Sequence, residues 1–231
     1  ARERSVEGLQ KATASLSLQN VGVTGTLLTA DVVVMNKTGH KFPTGFPSRR
    51  AWLHVLVKDA SGEVVFESGA VQPNGSITGD DNDADAAQYE LHYPVITRPD
   101  QVEIYETILR DAAGRLTTGL TSAAGYLKDN RLLPEGFDKG APYAEIAAWG
   151  GARDDPAFLG GSDAVRYLVS LGQARGPYTV AVELLYQSIS FRWAEDMRAL
   201  QGSEVQRFLS LYEGTPNTPV VIDSATQQVQ R

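Results

Sequence analysis

Apolar and polar residues alternate with a period of two along much of this chain, and that alternation predicts its elements. Ala12–Leu18 (ATASLSL) sets small or polar residues against apolar ones, the pattern of a half-buried strand. Thr26–Met35 follows the turn-like Gly22–Gly25 and ends its apolar run in Val32-Val33-Val34, predicting a second strand. Ala51–Lys58 (AWLHVLVK) and Glu63–Ser68 flank Asp59-Ala60-Ser61-Gly62, which reads as a β-hairpin. Val102–Arg110 (VEIYETILR) alternates again and runs into the turn Asp111–Gly114. Asp163–Leu171 and Pro177–Ser190 read as two more strands joined through Gly172–Gly176, the second long and strongly β-prone. Helical spacing is confined to a few places. Residues 1–11 carry Val6 and Leu9 on a charged background, Thr121–Lys128 suits a short helix, and Phe191–Leu200 and Ser203–Tyr212 read as amphipathic helices broken at Gly202.

Roughly seven or eight strands with hairpin turns and no βαβ alternation predict a mainly β protein, an antiparallel β-sandwich with long irregular loops and short terminal helices. The organisation expected is a helical tail of an upstream region at 1–11, one sandwich domain at 12–212 that includes helices at 191–212, and an extended tail at 213–231. Two connections are long. Residues 69–100 hold the acidic run Asp80–Asp85 at their centre, and residues 129–163 are rich in Gly and Pro. Connections of this length are uncommon in a compact domain unless they are functional or tied down.

Composition narrows the chemistry. The 231 residues are 42% hydrophobic and 21% charged, as in a globular protein with a core of its own. A net charge of −7 argues against a nucleic-acid partner, which calls for clustered Lys and Arg. No apolar run reaches the ~18 residues of a membrane span. Cysteine is absent, which removes disulfides, thiolate nucleophiles, Cys-ligated metals and a CxxCH haem attachment within this chain. The chain starts at Ala1 without Met, as expected of a mature or excised piece of something longer. No GxSxG, SxxK, GxGxxG or GxxxxGK[ST] pattern is present, so neither hydrolase nor nucleotide chemistry has support.

Three segments stand apart: NKTGHKFPTGFPSRRAWLHV at 36–55, GDDNDADAAQYELHY at 79–93, and YLKDNRLLPEGFDK at 126–139. In that order they resemble the β-rich C-terminal region of some periplasmic multihaem c-type cytochromes of bacteria, where it follows a domain carrying several CxxCH sites. The likeness extends more loosely through 183–197. It implies a non-catalytic partner domain or subunit in electron transfer, periplasmic or extracellular, with haem c carried by a partner domain or chain because this chain lacks the cysteines. Such a domain would pack over a haem and exclude water from one face.

The candidate residues then divide. His40, on a Gly/Pro-rich loop, either offers a ring nitrogen to a partner's haem iron as an axial ligand or anchors its own loop. His92, at the exit of the acidic run, poses the same choice. His54 lies in an alternating strand, sharing a face with Trp52 and Leu56, and reads as a half-buried structural histidine. A site assembled from all three histidines is a further option, the basis of a His-based metalloenzyme, although their spacing fits no short metal motif. Arg49 and Arg50 suit haem propionates or the carboxylates of the acidic loop. Asp80, Asp81, Asn82, Asp83 and Asp85 supply the oxygens that Ca²⁺ takes, or form a solvated loop; the calcium option makes the chain a calcium-stabilised extracellular binding module. Lys128-Asp129-Asn130-Arg131, followed by Leu132-Leu133-Pro134, reads as a turn locked by local hydrogen bonds more than a catalytic group.

Overall fold

The computed structural model describes residues 2–140 and 143–230. Helix α1 (Arg2–Ala12) leads into β1 (Ala14–Thr24), β2 (Leu27–Asn36), β3 (Arg50–Lys58) and β4 (Val64–Ser68). The short α2 (Asp81–Ala84), β5 (Val95–Ile96) and β6 (Ile104–Tyr105) follow, then β7 (Thr107–Asp111), β8 (Leu116–Thr117) and β9 (Ala123–Asp129). A 3-10 turn at Gly150–Arg153 precedes β10 (Ser162–Ser170), β11 (Tyr178–Gln187), α3 (Phe191–Arg198), α4 (Ser203–Glu213) and β12 (Val220–Val229).

Three sheets result. The first runs β1-β2-β10-β5, the second β12-β11-β3-β4 with β6 on the far end of β3, and the third β8-β7-β9. Alternation decides which faces meet. Leu28, Ala30, Val32 and Val34 of β2 and Val165, Tyr167 and Val169 of β10 point one way, against Leu53, Val55 and Val57 of β3 and Val180, Val182 and Leu184 of β11. All belong to one buried cluster, the core of a sandwich. Each Val or Leu among them contributes about 1.5–3 kcal/mol when fully removed from water.

Strand β3 departs from alternation at its start, where Arg50, Ala51, Trp52 and Leu53 are all buried. Its outer face is covered by the connection that follows β4. Trp52 packs there with Ile77, Val102, Ile104 and Leu185, and its indole N–H donates to the Gly69 carbonyl at 3.0 Å. Gly69 sits at φ +79°, and a side chain there would run into the Leu53 carbonyl oxygen.

The mainly β, antiparallel prediction holds, and most predicted strands lie within a few residues of their observed positions. Three expectations need correction. Thr121–Lys128 is not helical: Ala123–Asp129 is strand β9, paired with β7 through Leu109↔Tyr126 and Thr107↔Asp129, and that pairing overrides the helix propensity of its alanines. Val102–Arg110 is two strands, because Ile104-Tyr105 pairs with β3 in the second sheet while 107–111 belongs to the third. The extended tail contains β12, a full edge strand on β11.

Candidate functional site

The segment that follows β2 is held at several points. Asn36 Nδ2 donates to the carbonyls of His40 (2.8 Å) and Leu132 (3.0 Å), while Phe42 and Leu132 exchange both backbone hydrogen bonds. The Lys41 ammonium reaches Asp129 Oδ2 at 2.8 Å and the Ala147 carbonyl at 3.0 Å. Asp129 is fully buried and also takes two bonds from the Arg131 guanidinium, at 2.8 and 2.7 Å. Burial favours its neutral form, but Arg131 and Lys41 outweigh that and hold its pKa below the ordinary carboxylate value. The turn at 129–131 is thus locked locally, as its sequence suggests, and it also receives Lys41 from the loop.

His40 itself is exposed. Its Nδ1 lies 2.9 Å from the Lys41 carbonyl oxygen and 3.2 Å from Thr38 Oγ1. A carbonyl oxygen can only accept, so Nδ1 carries the hydrogen in this contact and the neutral ring keeps its lone pair on Nε2. Among the described residues Nε2 has no hydrogen-bond partner. Arg49 binds the Thr44 carbonyl within the same loop at 2.7 Å and is partly exposed.

Arg50 points inward. Each of its five N–H groups is used: Nε on Gln187 Oε1 (2.8 Å), Nη1 on Asp80 (2.7 Å) and Asp83 (2.9 Å), and Nη2 on Asp83 (2.9 Å) and the Gly75 carbonyl (3.0 Å). All three charged residues are buried. Burial and the adjacent Asp83 push Asp80 up to about 8, against the pull of Arg50. The five oxygen donors of the acidic run therefore divide. Asp80 and Asp83 turn to Arg50, and Asn82 donates to the Gln88 carbonyl at 2.7 Å. Asp81 and Asp85 are exposed, Asp85 accepting the Ala87 amide at 2.9 Å. The positive charge at the centre of the loop is the guanidinium of Arg50.

His92 is buried, and both its ring nitrogens meet carboxylates: Nδ1 lies 2.6 Å from Glu103 Oε1 and Nε2 lies 3.0 Å from Asp155 Oδ2. It presents no free nitrogen outward and anchors its loop. Glu103 also accepts from Asn130 (2.7 Å) and from the Tyr93 amide (2.6 Å). Burial works against an imidazolium here, but the Glu103 and Asp155 carboxylates outweigh it and lift His92 to about 10. Asp163, in phase with the core-facing residues of β10, accepts the Tyr105 hydroxyl at 2.8 Å across the sandwich. Burial, then the Glu103 charge, pushes it up to about 7.

His54 sits between Glu67 (3.0 Å) and Glu183 (3.3 Å) on the neighbouring strands, half-buried as expected. The three histidines share no hydrogen-bond partner, each belonging to a different part of the fold. Sequence reasoning missed Glu103, Asp155 and Asp163. The signal for Glu103 was an acid inside an alternating apolar strand, and for Asp163 an acid in phase with the apolar face of the strand it opens; Asp155 lies among loop-type residues that mark nothing.

Fold and sites together define a mainly β sandwich whose outer connections are pinned by two buried charge networks, with one exposed, oriented histidine. A scan against models of known protein families finds no match to this chain, and a search of curated proteins finds no match either. Among solved structures it is similar to a penta-heme cytochrome c552 from Thermochromatium tepidum, at 19% sequence identity and a TM-score of 0.49, over 96% of this chain and 41% of that one. The chain thus spans less than half the length of that protein, and the haems are a property of that protein. No helix among the described residues is long and apolar enough to cross a membrane.

Proposed function

We propose that this domain is a non-catalytic partner domain or subunit of a multihaem c-type cytochrome in electron transfer outside the cytoplasm, seated on a haem carried by that partner and offering His40 as an axial ligand. One observation carries the reading: His40 is exposed on a braced loop, with Nδ1–H bound to a carbonyl and the Nε2 lone pair unused. That is the arrangement in which a histidine meets a metal, its other nitrogen fixed by a hydrogen bond that sets tautomer and ring orientation. The loop is rigid for a physical reason, since Lys41 and Phe42 on one side tie it to residues 129–132 and Arg50 on the other ties it to the acidic loop. Exposed apolar residues lie on chain segments that touch it, namely Met35, Phe46 and Leu159. They suit a contact surface that excludes water from a haem face. Axial-ligand identity and burial are two of the means by which a protein sets haem potential.

The experiment compares the native complex containing wild-type chain with one containing His40→Ala. Loss of the ligand converts one low-spin haem to high spin in the absorption spectrum, while the melt of the isolated chain stays within about 0.5 kcal/mol of wild type. An unchanged haem spectrum refutes ligation. A chain that co-purifies with no haem protein from its source refutes the partnership itself.

A further inference from the structure

We propose that His92, Glu103 and Asp163 bind a divalent first-row metal ion of the manganese, iron or zinc class, in a structural site buried between the two large sheets. The three residues each place a ligand atom within 4.8 Å of the others, and all three are buried. A second, independent feature points to an occupant. Among the described residues Asp163 Oδ1 is buried without any hydrogen-bond partner, and so is the Tyr167 hydroxyl, two pleat repeats further along the same face of β10. A desolvated carboxylate oxygen is costly to leave unpaired, and nearly all such atoms in folded proteins have a partner.

A divalent ion satisfies the charge of the site as that partner. Glu103, Asp155 and Asp163 face one imidazole and the Lys139 ammonium, so with His92 protonated and all three acids ionised the group carries one net negative charge. With a divalent ion the balance closes. Neutral His92 donates Nε2–H to Asp155 and turns Nδ1 toward the ion, Glu103 and Asp163 supply two negative charges, and Lys139, whose ammonium binds the Asp155 carbonyl, offsets Asp155. The Asp155–His92 contact is then the carboxylate that orients a metal-bound histidine. One imidazole with two carboxylates is a donor set for manganese, iron or zinc, harder than a copper site and softer than a calcium cage. Ligand atoms around an ion bonded at about 2.0–2.2 Å lie roughly 3–3.5 Å apart, so the His92–Glu103 contact opens by less than ~1 Å. The site would staple β10 of one sheet to the β6 end of the other and to the exit of the acidic loop, in a chain that has no disulfide for the purpose.

The test uses the full chain, produced separately with manganese, iron and zinc salts, dialysed, and analysed for metal. The expected result is about one equivalent of one of these ions, a melting temperature that falls on chelation and recovers on re-addition, and loss of both in Asp163→Asn, which keeps the acceptor for Tyr105. Nitrogen NMR of the loaded chain should show His92 protonated at Nε2 alone. Three results overturn the proposal: less than a tenth of an equivalent of every ion with a melt indifferent to chelator, a His92 protonated on both nitrogens in metal-supplied protein, or stoichiometric metal retained by both Asp163→Asn and Glu103→Gln. The first of these would leave a buried water as the occupant. The wild-type measurements decide the matter even where a variant does not fold.

Discussion

Asp129 shows how much one buried carboxylate can organise. It neutralises Lys41 from the loop that carries His40 and Arg131 from its own turn, so the orientation of His40 depends on a side chain 89 positions away in sequence. Asp129→Asn keeps the shape and removes the charge, leaving Lys41 and Arg131 without a counter-ion; both are partly solvated, and the expected loss is about 3 kcal/mol in a urea melt at pH 7. The pH dependence has a definite sign. Because the folded-state pKa of Asp129 lies below its ordinary value of 3.8, its stabilising share is fully present above about pH 4 and is lost as pH falls through the folded pKa. The gap between wild type and Asp129→Asn should therefore be constant from pH 5 upward and close under acid. A gap that stays constant down to pH 2 would mean that the loss comes from the amide NH2 group set against Lys41 and Arg131 and not from the missing charge.

At the scale of elements, what could be read from the sequence was what alternation encodes. Strands β2 and β11, and β3 from Leu53 onward, bury nearly alternate residues against the core, and the limits of all three are nearly those expected. Strand β12 has no such pattern, since Ile222 is its one buried residue and its stability comes from backbone pairing along the edge of β11. Nothing local distinguishes VVIDSATQQV from an extended tail. Strand β9 was hidden for a related reason, because its partner β7 and not its own composition makes it a strand. The sites divide in the same way. His40, Arg50 and the acidic run stand out as unusual residue types in unusual loops, whereas Glu103, just before β6, and Asp163, in β10, become conspicuous only when the sheets bring them to His92. The dependence of β11 on its neighbour is testable. Ending the chain after Pro219 should expose the β11 edge and give a protein that self-associates in size-exclusion chromatography, since an unpaired strand edge is a template for another chain. A monomer with an unaltered melt would show that β12 adds nothing to the sandwich.

Across the whole molecule the three segments singled out in the sequence prove to be one connected structure. Lys41 and Phe42 join the first to the third, Arg50 joins the first to the second, and Asn130 with Glu103 joins the third to His92 of the second. Arg50 is the element of this frame on which most depends. It links β3 to β11 through Gln187 and to α2 through Asp80 and Asp83, while Arg192 of α3 grips the same turn at the Asn82 and Asp83 carbonyls. Arg50→Met keeps the apolar stem but leaves two carboxylates buried without a cation, and the expected cost is about 3–5 kcal/mol. Cleavage by protease should appear first within residues 70–91, where the connection loses its tie to the sheet. If the penalty is electrostatic, adding Asp80→Asn and Asp83→Asn to Arg50→Met should restore more than half of the lost stability, because neutral amides carry far less desolvation cost than stranded charges. A triple variant no more stable than Arg50→Met would instead assign the loss to the hydrogen bonds with Gln187 and Gly75, which Met cannot make in either background.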